Sequence, residues 1–329
     1  MGGCTGVIGT QGGGLDDAQQ VATVSSYCGG MRGRFAPSPT GDLHLGNLRT
    51  ALLSWDQTRE LGGEWWVRME DLDRVTSSPE WEQHQLDDLA ALGMLPDGPV
   101  VRQSERFDLY RDAIATLRAA GRVYECYCTR REIREAAQAP HGELPDGAYP
   151  GTCRELSAAR RAEWEAEGRR PALRLRSDGE RFVVDDLEAG RFEGGVDDVV
   201  LQRNDGVPAY NLAVVVDDAA QGITHVLRGD DLLSSTPRQM LLQRLLGLPH
   251  PVYTHVGLVY GPDGQRLAKR HGAVTLREAL HLGWTSASLF PPSVRERRGP
   301  LRLSQPLGPC PVQDGEPGNL FEQWDTPPS

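Results

Sequence analysis

The first clear pattern lies at 33–37, which reads as a short strand broken at Pro37 and Pro39. Thr40, Gly41 and Asp42 make a turn, and from His44 onward Leu45, Leu48, Ala51, Leu52 and Trp55 recur at helical spacing. Gly62 and Gly63 supply the stop. Trp65–Met69 predicts a second strand, which runs into Glu70, Asp71 and Asp73. Ser78 and Pro79 open a helix to about Leu92, and Arg106–Ala120 predicts another, closed by Gly121. Strand, helix, strand, helix at this spacing predicts an α/β fold built on a parallel sheet.

The pattern changes over 123–200, which holds three cysteines, a loop rich in proline and glycine at 140–151, and short strands at 171–176 and 181–185. This reads as an inserted lobe. The α/β pattern resumes at Pro208–Val216, with a strand at Thr224–Arg228 and a helix from Thr236 and Pro237 to Leu246. Leu276–Leu289 keeps a helix-like pattern. From Pro291 the chain is proline-rich and polar, and a ragged tail without helix or strand is expected. The division is thus a flexible leader (1–31), two halves of a catalytic domain (32–122 and 201–290), the insert (123–200) and the tail (291–329).

Composition narrows the class. The chain has 329 residues, 39% of them hydrophobic, which suffices for one main domain with an insertion. No eighteen-residue apolar window exists, so no membrane span is expected. The first thirty residues lack the basic start and apolar stretch of a secretory signal, and the expected location is cytoplasmic. A net charge of -11 argues against nonspecific coating of nucleic acid but permits a local grip on one RNA. Three of the six cysteines fall in one stretch, which favours a metal over disulfides.

Two separated segments carry nucleotide chemistry: RFAPSPTGDLHLGN at 34–47 and RLAKRHG at 266–272. In the first, a loop-to-helix junction carries His44, Gly46 and Asn47, where free backbone N–H groups and the helix dipole favour phosphate. In the second, Arg266, Lys269, Arg270 and His271 follow a tight turn, and a lysine there can meet charge developing on a transferring phosphate. No Walker or GxGxxG pattern follows a strand. Arg34 and Glu70 lie at ends of expected strands, where α/β folds bind ligands. Cys126, Cys128 and Cys153 offer three thiolates suited to zinc, with His141 or Tyr149 as the fourth ligand.

The first segment resembles the HIGH motif of class I aminoacyl-tRNA synthetases, in the glutamyl/glutaminyl branch. The second resembles the KMSKS loop of that branch, with Arg266 and Ala268 in place of its first lysine and its serine. The resemblance runs from about Arg34 to about Gly272. It implies a Rossmann-like catalytic domain with an inserted zinc-binding lobe. It implies that MgATP and L-glutamate react to form glutamyl-adenylate, with His44, Gly46, Asn47, Lys269 and Arg270 near ATP. Residues matching Arg34, Ala36, Ser38, Glu70, Tyr210 and Arg228 line the glutamate pocket of that branch. The last of these lies in HVLRGDD at 225–231.

The cysteine pattern, with Tyr149 four residues before Cys153, is similar to the zinc site of the shortened paralogs called glutamyl-queuosine tRNA(Asp) synthetases. That resemblance favours Cys126, Cys128, Tyr149 and Cys153 as zinc ligands, with His141 as the substitute. Only 57 residues follow Gly272, and they show no helical-bundle pattern, so no anticodon-binding domain is expected. The paralogs imply transfer of glutamate to queuosine in the anticodon stem-loop of tRNA(Asp), and a monomer is expected. A truncated glutamyl-tRNA synthetase acting on tRNA(Glu), and a noncatalytic relative that binds RNA or nucleotide, are the alternatives.

Overall fold

The computed structural model describes residues 30–137, 148–267, 271, 274–308, 310 and 320–323. Most of the leader, His141, Ala268, Lys269, Arg270 and Gly272 lie outside the described residues.

Strand β1 (Arg32–Phe35) leads through a proline-containing loop into helix α1 (Leu45–Glu60). Strand β2 (Glu64–Met69) pairs with β1 in parallel. Helix α2 (Pro79–Ala91) follows, capped by Ser78, whose hydroxyl accepts from the Trp81 N–H at 3.3 Å, with Pro79 at the start. Strand β3 (Val101–Arg102) extends the sheet beside β2, and helix α3 (Phe107–Ala119) closes this half. Apart from the two-residue β3, which the pattern does not mark, these elements fall where the periodicity puts them. Trp65 is fully buried at their centre; Trp55 meets it edge-on at 5.2 Å, and the Trp65 indole N–H donates to the Ser54 hydroxyl at 3.1 Å.

Strand β4 (Val123–Cys126) opens the middle segment, followed by helices α4 (Arg130–Ala137) and α5 (Ala158–Ala166). Strand β5 (Ala172–Leu175) pairs antiparallel with β4, and strands β6 (Arg181–Asp186) and β7 (Gly190–Gly195) form a hairpin. Strand β8 (Val200–Gln202) then pairs antiparallel with β5. This sheet straddles the boundary drawn at residue 200.

Helix α6 (Tyr210–Ala220), strand β9 (His225–Gly229), helix α7 (Thr236–Leu246) and strand β10 (Val252–Val256) complete the second half. β9 and β10 are parallel, and β9 lies beside β1, where the Thr224 N–H donates to the Arg32 carbonyl at 2.9 Å. The two halves, far apart in sequence, thus meet strand to strand. The β6–β7 hairpin packs on β10 and α7, so part of the insert supports the second half.

Strand β11 (Val259–Tyr260) and helices α8 (Leu276–His281), α9 (Ser286–Leu289) and α10 (Pro292–Arg295) follow. Strand β12 (Leu301–Leu303) pairs in parallel with β11 and antiparallel with β13 (Phe321–Gln323). The expectation of a tail without helix or strand is therefore corrected for its described residues. Leu301, Leu303, Leu320 and Phe321 are buried in the same core as Leu48 and Trp65. Burial of such side chains contributes about 1.5–3 kcal/mol each, enough to hold strands too short for a sequence pattern.

Candidate active site

The two motif segments converge. His44 is the N-cap of α1: its extended backbone and its ring Nδ1, which accepts from the Asn47 N–H at 3.2 Å, start the helix. The Asn47 side chain reciprocates by accepting from the His44 N–H at 3.3 Å, a capping box. His44 forms a β-bridge with Thr275, and the Leu45 N–H donates to the Val274 carbonyl at 2.8 Å. Leu267 lines the same cavity as His44. Both described flanks of the 268–273 loop therefore lie at this site. Gly46 has a steric reason here: a Cβ would sit 3.0 Å from the His44 ring.

Burial lowers the His44 pKa to about 4. The ring is neutral at pH 7, its Nδ1 is occupied by Asn47, and its proton therefore sits on Nε2. That leaves one N–H donor for an oxygen ligand.

The cavity measures about 330 Å³ and is lined by Arg34, Ala36, His44, Gly46, Asn47, Glu70, Tyr210 and Arg228, among others. Three arginines (Arg34, Arg228, Arg266) and two acids (Glu70, Asp231) line it, a formal excess of one positive charge among the described residues. Ser38 lies instead on an adjoining groove of about 970 Å³, which shares Glu70 and Tyr210 with the cavity. Tyr210 is 38% exposed at this junction. The groove also carries Arg130, Arg169, Arg170, Arg174 and Arg203.

Beneath the cavity lies a buried ionic network in which Arg34 and Glu70 join Arg68, Asp217 and Asp218, three residues that no sequence motif marks. Arg68 is fully buried and donates to Asp218 at 2.6 Å, Gln221 at 2.8 Å and Glu70 at 3.4 Å. Arg34 donates to Asp218 at 3.4 Å and to the Leu227 carbonyl at 3.3 Å. Asp217, 0% exposed, accepts from Arg106, Tyr110 and Gln103. Burial alone would raise the Asp218 carboxyl, but Arg68 and Arg34 hold it below the ordinary range. Burial raises Glu70 above the ordinary value, against the pull of Arg68 and Arg34.

Arg228 is 5% exposed and held on three sides. Its Nε donates to His255 Nε2 at 3.0 Å, its Nη2 donates to Thr236 at 2.9 Å, and its guanidinium lies over the Tyr253 ring at 5.3 Å. Its Nη1 is buried without a hydrogen-bond partner. Arg228 itself lines the cavity, which brings a guanidinium with one unpaired N–H group to its wall, and such a group favours an anionic ligand.

The cysteines gather in the middle segment. The Sγ atoms of Cys126, Cys128 and Cys153 lie within 4.8 Å of one another, and those of Cys128 and Cys153 are 3.4 Å apart. The Tyr149 hydroxyl lies 3.3 Å from Cys126 Sγ and 3.5 Å from Cys128 Sγ. A tetrahedral ion with bonds of about 2.3 Å to sulfur has sulfur–sulfur edges of about 3.8 Å. The four donors thus converge on a space of the right size for one ion. Cys126, Cys128, Cys153 and Cys310 are free thiols.

Parallel strand pairs β1–β2 and β9–β10 lie side by side, and the histidine-capped helix α1 shares one cavity with Arg228 and Arg266. The description "tRNA synthetases class I (E and Q), catalytic domain" matches residues 30–299, and the chain belongs to this family. It is similar to a glutamyl-Q tRNA(Asp) synthetase of Nocardia farcinica, at 61% identity over 80% of this chain and 83% of that protein. It is 46% identical to a glutamate–tRNA ligase of Acidithiobacillus ferrooxidans over 79% of this chain and 55% of that protein. Among solved structures it is similar to a glutamate tRNA ligase from Elizabethkingia meningosepticum in complex with its amino acid, with TM-score 0.63 and 32% identity. That match covers 73% of this chain and 52% of the ligase, so the chain spans about half the length of that structure.

Proposed function

We propose that this protein activates L-glutamate with MgATP and transfers the glutamyl group to the queuosine base at the wobble position of tRNA(Asp). The observation that carries the reading is the small cavity with one excess positive charge, opening at Glu70 and Tyr210 onto an arginine-rich groove. Glutamate carries two carboxylates and one ammonium, a net charge that complements the cavity. The identity to the Nocardia protein over most of both chains supports the choice of acceptor.

Arg34 and Arg228 bind carboxylate and Glu70 binds the ammonium. A glutamate α-carboxylate oxygen attacks the α-phosphorus of ATP, the bond to the β-phosphate bridging oxygen breaks, and pyrophosphate leaves. The His44 Nε2–H donates to a phosphate oxygen, and Lys269, outside the described residues, meets charge on the leaving pyrophosphate. A nucleophile of the queuosine base then attacks the acyl carbon and releases AMP. The groove holds the anticodon stem-loop, its arginines meeting phosphates. No protein nucleophile is needed, because positioning and electrostatics supply the catalysis. Cys126, Cys128, Tyr149 and Cys153 hold a structural zinc ion that ties β4 to the loop before α5. Among the described residues no helix is long and apolar enough to cross a membrane.

The test incubates the protein with MgATP and radiolabelled glutamate, offering tRNA(Asp) with and without queuosine, and tRNA(Glu). Label confined to queuosine-containing tRNA(Asp) is expected. Label on tRNA(Glu) would replace the reading with a conventional ligase activity, and absence of glutamate-dependent pyrophosphate exchange would leave no synthetase at all.

A further inference from the structure

We infer that Asp186, in the β6–β7 hairpin, is a positioning residue for the glutamate pocket, acting on Arg228 through the tautomer of His255. This rests on the reading of Arg228 as a glutamate ligand.

The chain of contacts is buried throughout. The side chains of His255 and Asp186 are both 0% exposed, with His255 Nδ1 2.6 Å from Asp186 Oδ2. On the other edge of the ring, Nε2 lies 3.0 Å from Arg228 Nε. A guanidinium Nε can only donate, so Nε2 must accept and the imidazole proton must sit on Nδ1. The geometry therefore fixes a neutral His255 whose Nδ1–H donates to Asp186. Arg228, a residue of the cavity wall, is thereby anchored at Nε and, on Thr236, at Nη2.

The orientation of Asp186 is itself fixed. Its Oδ1 accepts from the backbone N–H groups of Glu188 at 3.0 Å and Ala189 at 2.8 Å, which form the hairpin turn. This makes Asp186→Asn an informative change of nearly the same shape. If the amide oxygen keeps the turn, the NH₂ faces His255 Nδ1 and forces that nitrogen to accept. The ring proton then moves to Nε2, where it opposes the Arg228 Nε–H, and a buried donor facing a donor is unfavourable. Arg228 loses its anchor although no group touching substrate has changed.

The experiment is glutamate-dependent ATP–pyrophosphate exchange on the full chain, comparing wild type, Asp186→Asn, His255→Gln, the double variant and Arg228→Lys. Asp186→Asn is expected to raise the KM for glutamate about 10–100-fold, with the KM for ATP within about twofold. In His255→Gln the amide oxygen accepts from Arg228 without help from residue 186. Asp186→Asn should then add less than about threefold in that background. An equal rise in both backgrounds would mean that Asp186 only supports the hairpin and would overturn the proposal. So would a KM near wild type in Asp186→Asn while Arg228→Lys raises it strongly, which leaves the pocket reading intact. An unchanged KM in Arg228→Lys removes the pocket reading itself. A measurement that needs no variant to fold is the imidazole ¹⁵N spectrum of wild type: His255 should be protonated at Nδ1, and protonation at Nε2 overturns the relay.

Discussion

Lowering the pH should destabilise this protein through His44 by an amount that desolvation of its ring sets. The unperturbed imidazole value is 6.5, and burial lowers it to about 4 in the folded chain. Because the folded value lies below the unfolded one, the unfolded chain takes up the proton first. Stability is therefore unaffected above pH 6.5 and is lost as pH falls towards 4. At pH 5 the loss from this one group is ~2 kcal/mol, and below pH 4 it approaches ~3 kcal/mol. The cause is desolvation of the ring, and a proton on Nδ1 would in addition abolish the bond from the Asn47 N–H that starts α1.

His44→Asn isolates the effect. Asparagine is a good N-cap and does not titrate, so the helix start survives while the proton site disappears. His225, His250 and His255 also have lowered values, but they titrate equally in both proteins and cancel. Urea unfolding of wild type and variant at pH 7.5 and pH 5 gives two stability differences. Wild type should lose ~2 kcal/mol relative to the variant between these pH values. Parallel loss to within about 0.5 kcal/mol would refute the argument that His44 is shielded from water and neutral. The variant should also lose pyrophosphate-exchange activity at pH 7.5, because it lacks the Nε2–H donor.

Four further outcomes follow from the site. Glu70→Gln should raise the KM for glutamate at least about 30-fold in pyrophosphate exchange, since it removes the acid facing the ammonium; a change under threefold would assign the ammonium elsewhere. Glutamine should be activated at least about 100-fold less efficiently than glutamate, because its NH₂ would face the donor of Arg228; comparable rates of exchange with both amino acids would contradict that contact. Purified protein should hold one zinc ion per chain by elemental analysis, and Cys153→Ala should lose it and lower the melting temperature; a metal-free wild type of equal stability would count against the zinc site. Arg170→Ala should weaken tRNA binding and reduce the slope of log affinity against log salt by about one; an unchanged slope would remove Arg170 from the phosphate contacts.

Sequence and structure agree best where local chemistry decides the backbone. Ser78 with Pro79, and the break at Gly62 and Gly63, are visible because caps and stops act within a few residues. β10 was not anticipated: it is buried along most of its length, so it lacks the alternation of a half-exposed strand, and His255 reads as polar although it is buried. The tail strands have three residues each and gain their stability from pairing across an intervening stretch, which no local pattern reports. Arg34, Ala36, His44, Gly46, Asn47, Glu70, Tyr210 and Arg228 on the cavity wall are recognisable in the sequence, but Arg68, Asp217 and Asp218 beneath it are not. An acid pair after an apolar run looks like a solvated helix end. Only tertiary placement turns Asp217 and Asp218 inward, where arginines from other elements meet them.

That inward turn links folding to function. A buried guanidinium or carboxylate costs several kcal/mol unless it is paired and hydrogen-bonded. Here the pairs run between the two halves of the chain: Arg34 and Arg68 come from β1 and β2, while Asp218 comes from α6, about 150 residues later. The halves cannot separate without leaving charge buried and unpaired. The same pairs fix the guanidinium of Arg34 and, through Arg68, the carboxylate of Glu70. Removing Asp218 would therefore loosen both ends of the proposed substrate grip together with the joint between the halves, because one set of bonds holds all three.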